Sequence, residues 1–150
     1  MVETKNGSLF DAPSGLICHQ VNCRGVMGSG VAKIFRYMYP EAYNEYVQVC
    51  AKNVPPDILG TCLITNNTVC MFAQEDYSSN RHVRSTEYWA FRDCCIYIAS
   101  YLRKNNMRDT IINMPYRIGC GLGGGDWDHI YNILTEEFED FHVILWKLED

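Results

Sequence analysis

The sequence has no apolar run that approaches the roughly 18 uncharged residues of a membrane-spanning helix. Residues 1–5 read Met-Val-Glu-Thr-Lys, so the basic stretch and the apolar stretch of a secretory signal are also missing. These two absences argue against a membrane-spanning protein and against a secreted protein. We therefore expect an intracellular, cytoplasmic protein that has no membrane partner.

Metal-binding spacings are absent, although cysteine is plentiful. The cysteines form no Cys-x-x-Cys pair and are accompanied by no His-x(3–5)-His pair, so the usual zinc pattern is missing. Most lie in apolar segments, where a free thiol packs like a small hydrophobic side chain. We expect structural thiols rather than disulfides, and neither a metal nor a cofactor. The eight are Cys18, Cys23, Cys50, Cys62, Cys70, Cys94, Cys95 and Cys120.

Positive charge is scarce, because 13 Lys and Arg residues face 18 Asp and Glu residues and the net charge is −5. A generic nucleic-acid binder needs a basic surface, which this composition does not provide. A small phosphate-bearing ligand is still possible, because backbone N–H groups at a helix amino terminus bind phosphate without any basic side chain.

What the sequence does contain is typical of one globular domain. It has 150 residues, of which 47% are hydrophobic and 21% are charged. We therefore expect residues 1–150 to form a single domain.

The apolar periodicity alternates between strand-like and helix-like segments. It predicts strands at residues 15–21, 58–65, 68–73, 110–115 and 141–148, and helices at 31–39, 41–52, 85–105 and 126–139. Asn66-Asn67 suits a hairpin turn, Pro40 separates two helices, and Pro55-Pro56-Asp57 breaks the pattern. This order predicts an α/β fold whose mixed, mostly parallel sheet has helices on both faces.

Two glycine-rich loops, residues 22–30 and 119–125, each follow a predicted strand and precede a predicted helix. Ligands of open α/β sheets bind at the carboxyl ends of the strands, where both loops should lie. Neither loop continues into the Gly-Lys-Ser/Thr of a P-loop, and neither matches the dinucleotide-binding pattern. We expect them to form one cleft for a phosphate-bearing nucleotide.

These loops also carry a family resemblance. Residues 19–32, His-Gln-Val-Asn-Cys-Arg-Gly-Val-Met-Gly-Ser-Gly-Val-Ala, and residues 117–124, Arg-Ile-Gly-Cys-Gly-Leu-Gly-Gly, resemble the paired ligand loops of macrodomains. Residues 7–11 and Asp126-Trp127 extend the resemblance to nearly the whole chain. It implies a three-layer α/β/α fold that binds ADP-ribose or a derivative, and some macrodomains hydrolyse such derivatives.

The resemblance also assigns individual roles. Asn22 matches the asparagine that binds the distal ribose, although an asparagine there could instead cap a turn. Phe72 or Tyr77 could stack on the ligand, or could belong to the core. The phosphate loops would supply the remaining contacts through Gly28, Ser29, Gly30, Val31, Gly119, Cys120, Gly121, Leu122, Gly123 and Gly124.

The chain departs from the family pattern in three places. The branch that removes ADP-ribose from glutamate or DNA bases uses a lysine after the strand at 69–73, where this chain has Gln74-Glu75-Asp76. One member adds an aspartate where Gly123 stands. The aspartate that holds adenine in other macrodomains is replaced by Gly15, which leaves Asp11 as the nearest substitute.

The remaining pattern resembles the branch that dephosphorylates ADP-ribose 1''-phosphate, because His19 stands three residues before Asn22. His19 could donate a proton or position water, or could be a core histidine. Asp126 could act as a base or cap the last helix. Arg24, Arg81 and Arg117 could pair with phosphate or face water.

We therefore interpret the chain as a hydrolase that converts ADP-ribose 1''-phosphate to ADP-ribose and phosphate, with Asn22, His19 and Asp126 as catalytic candidates. A hydrolase that removes ADP-ribose from protein or nucleic acid, and a reader without turnover, are the alternatives. Nucleic acid is expected as a partner only when it carries ADP-ribose.

Overall fold

The computed structural model describes residues 1–77 and 83–148. One six-stranded sheet runs through the molecule in the order β1-β6-β5-β2-β4-β3. Every neighbouring pair is parallel except β3 and β4, which are antiparallel at one edge. The strands are β1 (Val2–Asn6), β2 (Leu16–Asn22), β3 (Cys62–Thr65), β4 (Thr68–Gln74), β5 (Ile112–Pro115) and β6 (Val143–Lys147).

Helices cover both faces of the sheet. Ile98 and Phe91 of α4 and Ile133 of α5 pack on one face, where they share a core with apolar residues of the central strands. Phe35 of α1 and Tyr46 of α2 pack on the other face. This arrangement confirms the three-layer α/β/α fold. The helices are α1 (Gly30–Met38), α2 (Pro40–Lys52), α3 (Pro55–Ile58), α4 (Tyr88–Lys104) and α5 (Trp127–Glu137), with a 3₁₀ helix at Leu9–Asp11.

Asparagine and proline residues correctly predicted where a hairpin turn and a helix begin. Asn66 has a φ of 55° in the β3–β4 hairpin, a left-handed conformation that asparagine tolerates, so the predicted hairpin is confirmed. Pro40 begins α2 directly after α1, as the fixed φ of proline allows in a first helical turn.

One strand boundary was predicted wrongly, and one strand was not predicted. The Pro55-Pro56-Asp57 segment follows the end of α2, where the pattern was expected to break, and begins the one-turn helix α3 with proline in the first turn. As a result β3 starts at Cys62 rather than at residue 58. Strand β1 was not predicted, because its side chains are half-buried or exposed and its segment has no apolar run.

The cysteines pack as free thiols, and six of the eight are buried. Burial raises the pKa of Cys18, Cys70 and Cys95, which keeps these side chains protonated and apolar. Within residues 1–77 and 83–148, no helix is both long enough and apolar enough to cross a membrane.

Candidate ligand-binding cleft

A cleft of about 600 Å³ opens where the strands β2, β4 and β5 end. The loop after β2 and the loop after β5 form most of its walls, although the two loops are far apart in the sequence. Because β2 lies between β4 and β5, the parallel order brings both loops to the same edge of the sheet. The expected pairing of the two glycine-rich loops is therefore present.

The first loop leads into the amino terminus of α1. Ser29 occupies the N-cap position but its side chain makes no capping hydrogen bond, and Gly30 has a φ of 59°. The first N–H groups of a helix have no intrahelical acceptor, and they carry a partial positive charge. Among the described residues, no acceptor pairs with the N–H groups of Gly28, Ser29, Gly30 and Val31, all of which line the cleft.

In the second loop, some backbone N–H groups form hydrogen bonds within the loop and others have no described acceptor. Cys120 donates to the carbonyl oxygen of Arg117, and Gly124 donates to that of Gly121. Neither Cys120 nor Gly124 lines the cleft. In the described part of the chain, no acceptor pairs with the N–H groups of the four lining residues Gly119, Gly121, Leu122 and Gly123. Backbone N–H groups without an acceptor in the protein are the kind of donor that binds anions.

A side-chain network holds the second loop against the sheet. Gln20 Nε2 donates to Gln74 Oε1 and to Thr86 Oγ1, each at 2.8 Å. Thr86 Oγ1 donates to the carbonyl oxygen of Gly119 at 2.8 Å, and Thr86 N donates to that of Gly123. This network was not predicted from the sequence. Gln20 is a polar residue in the mostly buried strand β2 and was an available signal, whereas Thr86 offered none.

Asn22, at the end of β2, organises the first loop. Its Nδ2 donates to the carbonyl oxygen of Val26 at 2.8 Å, and its Oδ1 accepts from Arg24 N at 2.9 Å. The buried Tyr46 hydroxyl lies 2.8 Å from Asn22 Oδ1 and 2.9 Å from the main-chain oxygen of Asn22. Asn22 thus caps a turn, it lines the cleft, and the second N–H of its amide has no described acceptor.

His19 lies at the floor of the cleft and is only 1% exposed. Its ring stacks on Phe35 with the centroids 4.0 Å apart, and its Nε2 lies 3.6 Å from Cys70 Sγ. Burial lowers the pKa of His19 from its ordinary value of 6.5 to about 3. The imidazole is therefore neutral at pH 7, which fits a hydrogen-bonding or packing role better than proton donation by an imidazolium.

Besides Cys120 and Gly124, three further predicted residues lie away from the cleft lining. Asp126 is the N-cap of α5, where its Oδ2 accepts from His129 N at 3.3 Å. Phe72 is 1% exposed and stacks on Tyr46 in the core, whereas Tyr77 lines the cleft and is exposed. Asp11 is exposed on the 3₁₀ helix.

The three candidate arginines are also separated. Arg24 forms exposed ion pairs with Glu75 at 3.4 Å and with Asp76 at 3.7 Å. Arg117 lines the cleft, whereas Arg81 lies outside the described residues. Among the described residues, no group of three or more His, Cys, Asp or Glu side chains is arranged to hold a metal ion.

The Macro domain family model matches residues 18–134, a span that contains both loops and the cleft. This chain belongs to the macrodomain family.

Curated macrodomain relatives align over most of the chain. The ADP-ribose 1''-phosphate phosphatase of Candida albicans is 27% identical over 99% of this chain and 100% of its own length. That of Meyerozyma guilliermondii is 30% identical over 87% and 90%. The DNA ADP-ribosyl glycohydrolase of Mycobacterium tuberculosis is 26% identical over 93% of this chain, which spans 39% of that protein.

Solved macrodomain structures have the same fold. The macrodomain of Mycobacterium tuberculosis DarG matches with a TM-score of 0.80 and 21% identity over 97% of each chain. Thermosipho africanus DarTG, solved in complex with ADP-ribose, matches with a TM-score of 0.74 and 17% identity over 97% of this chain and 41% of its own.

Proposed function

We propose that the chain binds ADP-ribose in the cleft and hydrolyses ADP-ribose 1''-phosphate to ADP-ribose and inorganic phosphate. One observation carries the binding part of this proposal: residues of both loops line the same cleft and have backbone N–H groups without described acceptors. A diphosphate offers several anionic acceptor oxygens and suits such donors. Neutral donors also explain how a chain with a net charge of −5 could hold it.

Hydrolysis of the 1''-phosphate is supported by the curated phosphatases, which align with nearly the whole chain. In this proposal Asn22 orients the distal ribose through its spare amide N–H, while His19 lies beneath it as a neutral imidazole. Asp126 remains a proposed base, although its carboxylate caps α5. Proton transfer by a positioned side chain contributes roughly 100- to 10,000-fold to a rate, which is the loss expected if either group has that role.

Removal of ADP-ribose from nucleic acid or protein is the second candidate function. The mycobacterial DNA ADP-ribosyl glycohydrolase and the DarG-like fold favour it. The side chain at the end of β4 argues against a lysine mechanism, because Gln74 stands there and bonds to Gln20 and to the carbonyl oxygen of Asp76. A protein that binds ADP-ribose without hydrolysing a derivative of it would need only the same cleft.

Calorimetric titration with ADP-ribose tests the binding part. We expect a dissociation constant in the micromolar range, which corresponds to about −8 kcal/mol. Absence of both heat and a thermal shift at millimolar ligand would contradict binding.

Measurement of phosphate release distinguishes a phosphatase from a protein that only binds ADP-ribose. The chain should release phosphate from ADP-ribose 1''-phosphate, and Asn22→Ala should release it far more slowly. Tight binding of ADP-ribose without phosphate release would exclude the phosphatase, and incubation with ADP-ribosylated DNA and protein would then test the second candidate.

A further inference from the structure

Arg117 adopts a backbone conformation that its side chain does not favour. Its φ is 62°, in the left-handed region. Every other described residue with a positive φ is a glycine or one of the two asparagines Asn66 and Asn106, which tolerate this region. A long, unbranched cation at such a position carries a local conformational cost, and such strain concentrates at functional sites.

Arg117 is also the only fully charged residue in the described lining of the cleft. No Asp, Glu or Lys lines it, and His19 is neutral. Arg24 differs, because its guanidinium pairs with Glu75 and Asp76. Within the described residues, no carboxylate forms an ion pair with Arg117. Arg117 is exposed and lines the cleft, so an acidic protein presents there one cation that has no described carboxylate partner.

The backbone of Arg117 belongs to the second loop. Its carbonyl oxygen accepts from Cys120 N at 3.0 Å, and the residue directly follows Pro115 and Tyr116 at the end of β5. Burial raises the pKa of Cys120 to about 11, and the Arg117 charge opposes that rise. Arg117 lines the cleft together with Gly119 and Gly121 of the second loop.

We propose that Arg117 is a specificity-determining residue that binds a phosphate group of the ligand through its guanidinium. This inference rests on the proposed function and deepens it, because it adds one charged contact to the neutral donors of the two loops. A planar guanidinium forms paired, charge-assisted hydrogen bonds with phosphate oxygens. The contact favours ligands with a phosphate within reach of β5 and explains why the position is not a glycine.

Two variants separate charge from backbone strain. Arg117→Gly relieves the positive φ and removes the cation, whereas Arg117→Gln removes the cation and keeps the strained backbone. Arg108→Gln is the matched control, because it removes one exposed cation outside the cleft lining. The affinity for ADP-ribose and the KM for ADP-ribose 1''-phosphate would be measured for each at several potassium chloride concentrations.

Both Arg117 variants should remain folded and should bind at least about tenfold more weakly, as expected for loss of a charge-assisted hydrogen bond. Their affinity should also depend less on salt than that of the parent, since one screened charge is gone. Equal losses for the two ligands would assign the contact to the diphosphate. A larger loss for the 1''-phosphate would assign it to the terminal phosphate.

Unchanged binding by Arg117→Gln, or a loss confined to Arg117→Gly, would overturn the inference and leave the proposed function intact. An affinity loss without any change in salt dependence would also overturn it. A parent protein that binds neither ligand would contradict the proposed function and this inference together.

Discussion

Tyr46 holds the amide of Asn22 in one orientation. Its ring is fully buried and stacks on Phe72, while its hydroxyl lies 2.8 Å from Asn22 Oδ1. Burial raises the pKa of this hydroxyl, which therefore stays protonated and donates. The spare N–H of Asn22 can thus point to one place in the cleft without rotating freely.

Tyr46→Phe should remain folded, become less stable by about 1 kcal/mol and bind ADP-ribose several-fold more weakly. The stability loss is the typical net value of one hydrogen bond, and the affinity loss follows from the freed amide. Urea unfolding and calorimetry measure the two effects. Tyr43→Phe on the same helix is the control, because no described residue forms a hydrogen bond with the Tyr43 hydroxyl. Equal affinity in Tyr46→Phe and the parent would show that Tyr46 does not position Asn22.

At the scale of single residues, the sequence indicated which residues belong to the site better than it indicated their hydrogen-bond partners. Asn22 had two possible roles, and its bonds to Val26 and Arg24 show the turn-capping one. Tyr46 could not be linked to Asn22, because 24 residues separate them and only the packing of α2 on the sheet joins them. The exposure of Asp11 could not be predicted either, because it depends on the 3₁₀ helix at Leu9–Asp11.

At the scale of the element, the second loop combines open and crowded glycine positions. A Cβ added to Gly121 would meet no atom within 4 Å. A Cβ on Gly123 would lie 2.5 Å from Thr86 Oγ1 and 2.8 Å from the carbonyl oxygen of Gly119. Gly121 therefore faces the cleft, whereas Gly123 is part of the packing that holds the loop.

Substitutions at the two glycines should have different consequences. Gly121→Glu should keep the melting temperature of the parent and lose ADP-ribose binding, because a bulky anionic side chain would occupy the phosphate site. Gly123→Ala should lose about 1–3 kcal/mol of stability as well as binding, because the loop must shift away from Thr86. Thermal unfolding and calorimetry on both variants test this. A folded Gly121→Glu protein that binds normally would show that the second loop is not the phosphate site.

Elements with strong local signals were predictable and the others were not. The strand, glycine loop and helix order located both loops, and Pro40 and Asn66 located a helix start and a hairpin. Strand β1 has no apolar run, since only its pairing with β6 makes it a strand. The Thr86 network depends on a segment that reaches the second loop through tertiary structure alone.

At the scale of the whole molecule, His19 links global stability to pH. In the unfolded chain its imidazole regains its ordinary pKa of 6.5, whereas burial between Phe35 and Cys70 holds the folded value at about 3. Between these values the unfolded state binds a proton that the folded state does not. The free energy of unfolding therefore falls as pH falls through this window. Above pH 6.5 the imidazole is neutral in both states, and His19 then causes no loss of stability.

Urea unfolding between pH 7.5 and about 4 should show this dependence, with His19 contributing at most about 1.4 kcal/mol per pH unit. His19→Gln should reduce the slope in this window, whatever its stability at pH 7.5, because glutamine does not titrate. If His19→Gln and the parent lose stability equally with falling pH, the imidazole is not held neutral by burial, and a proton-donating role for His19 at neutral pH regains support.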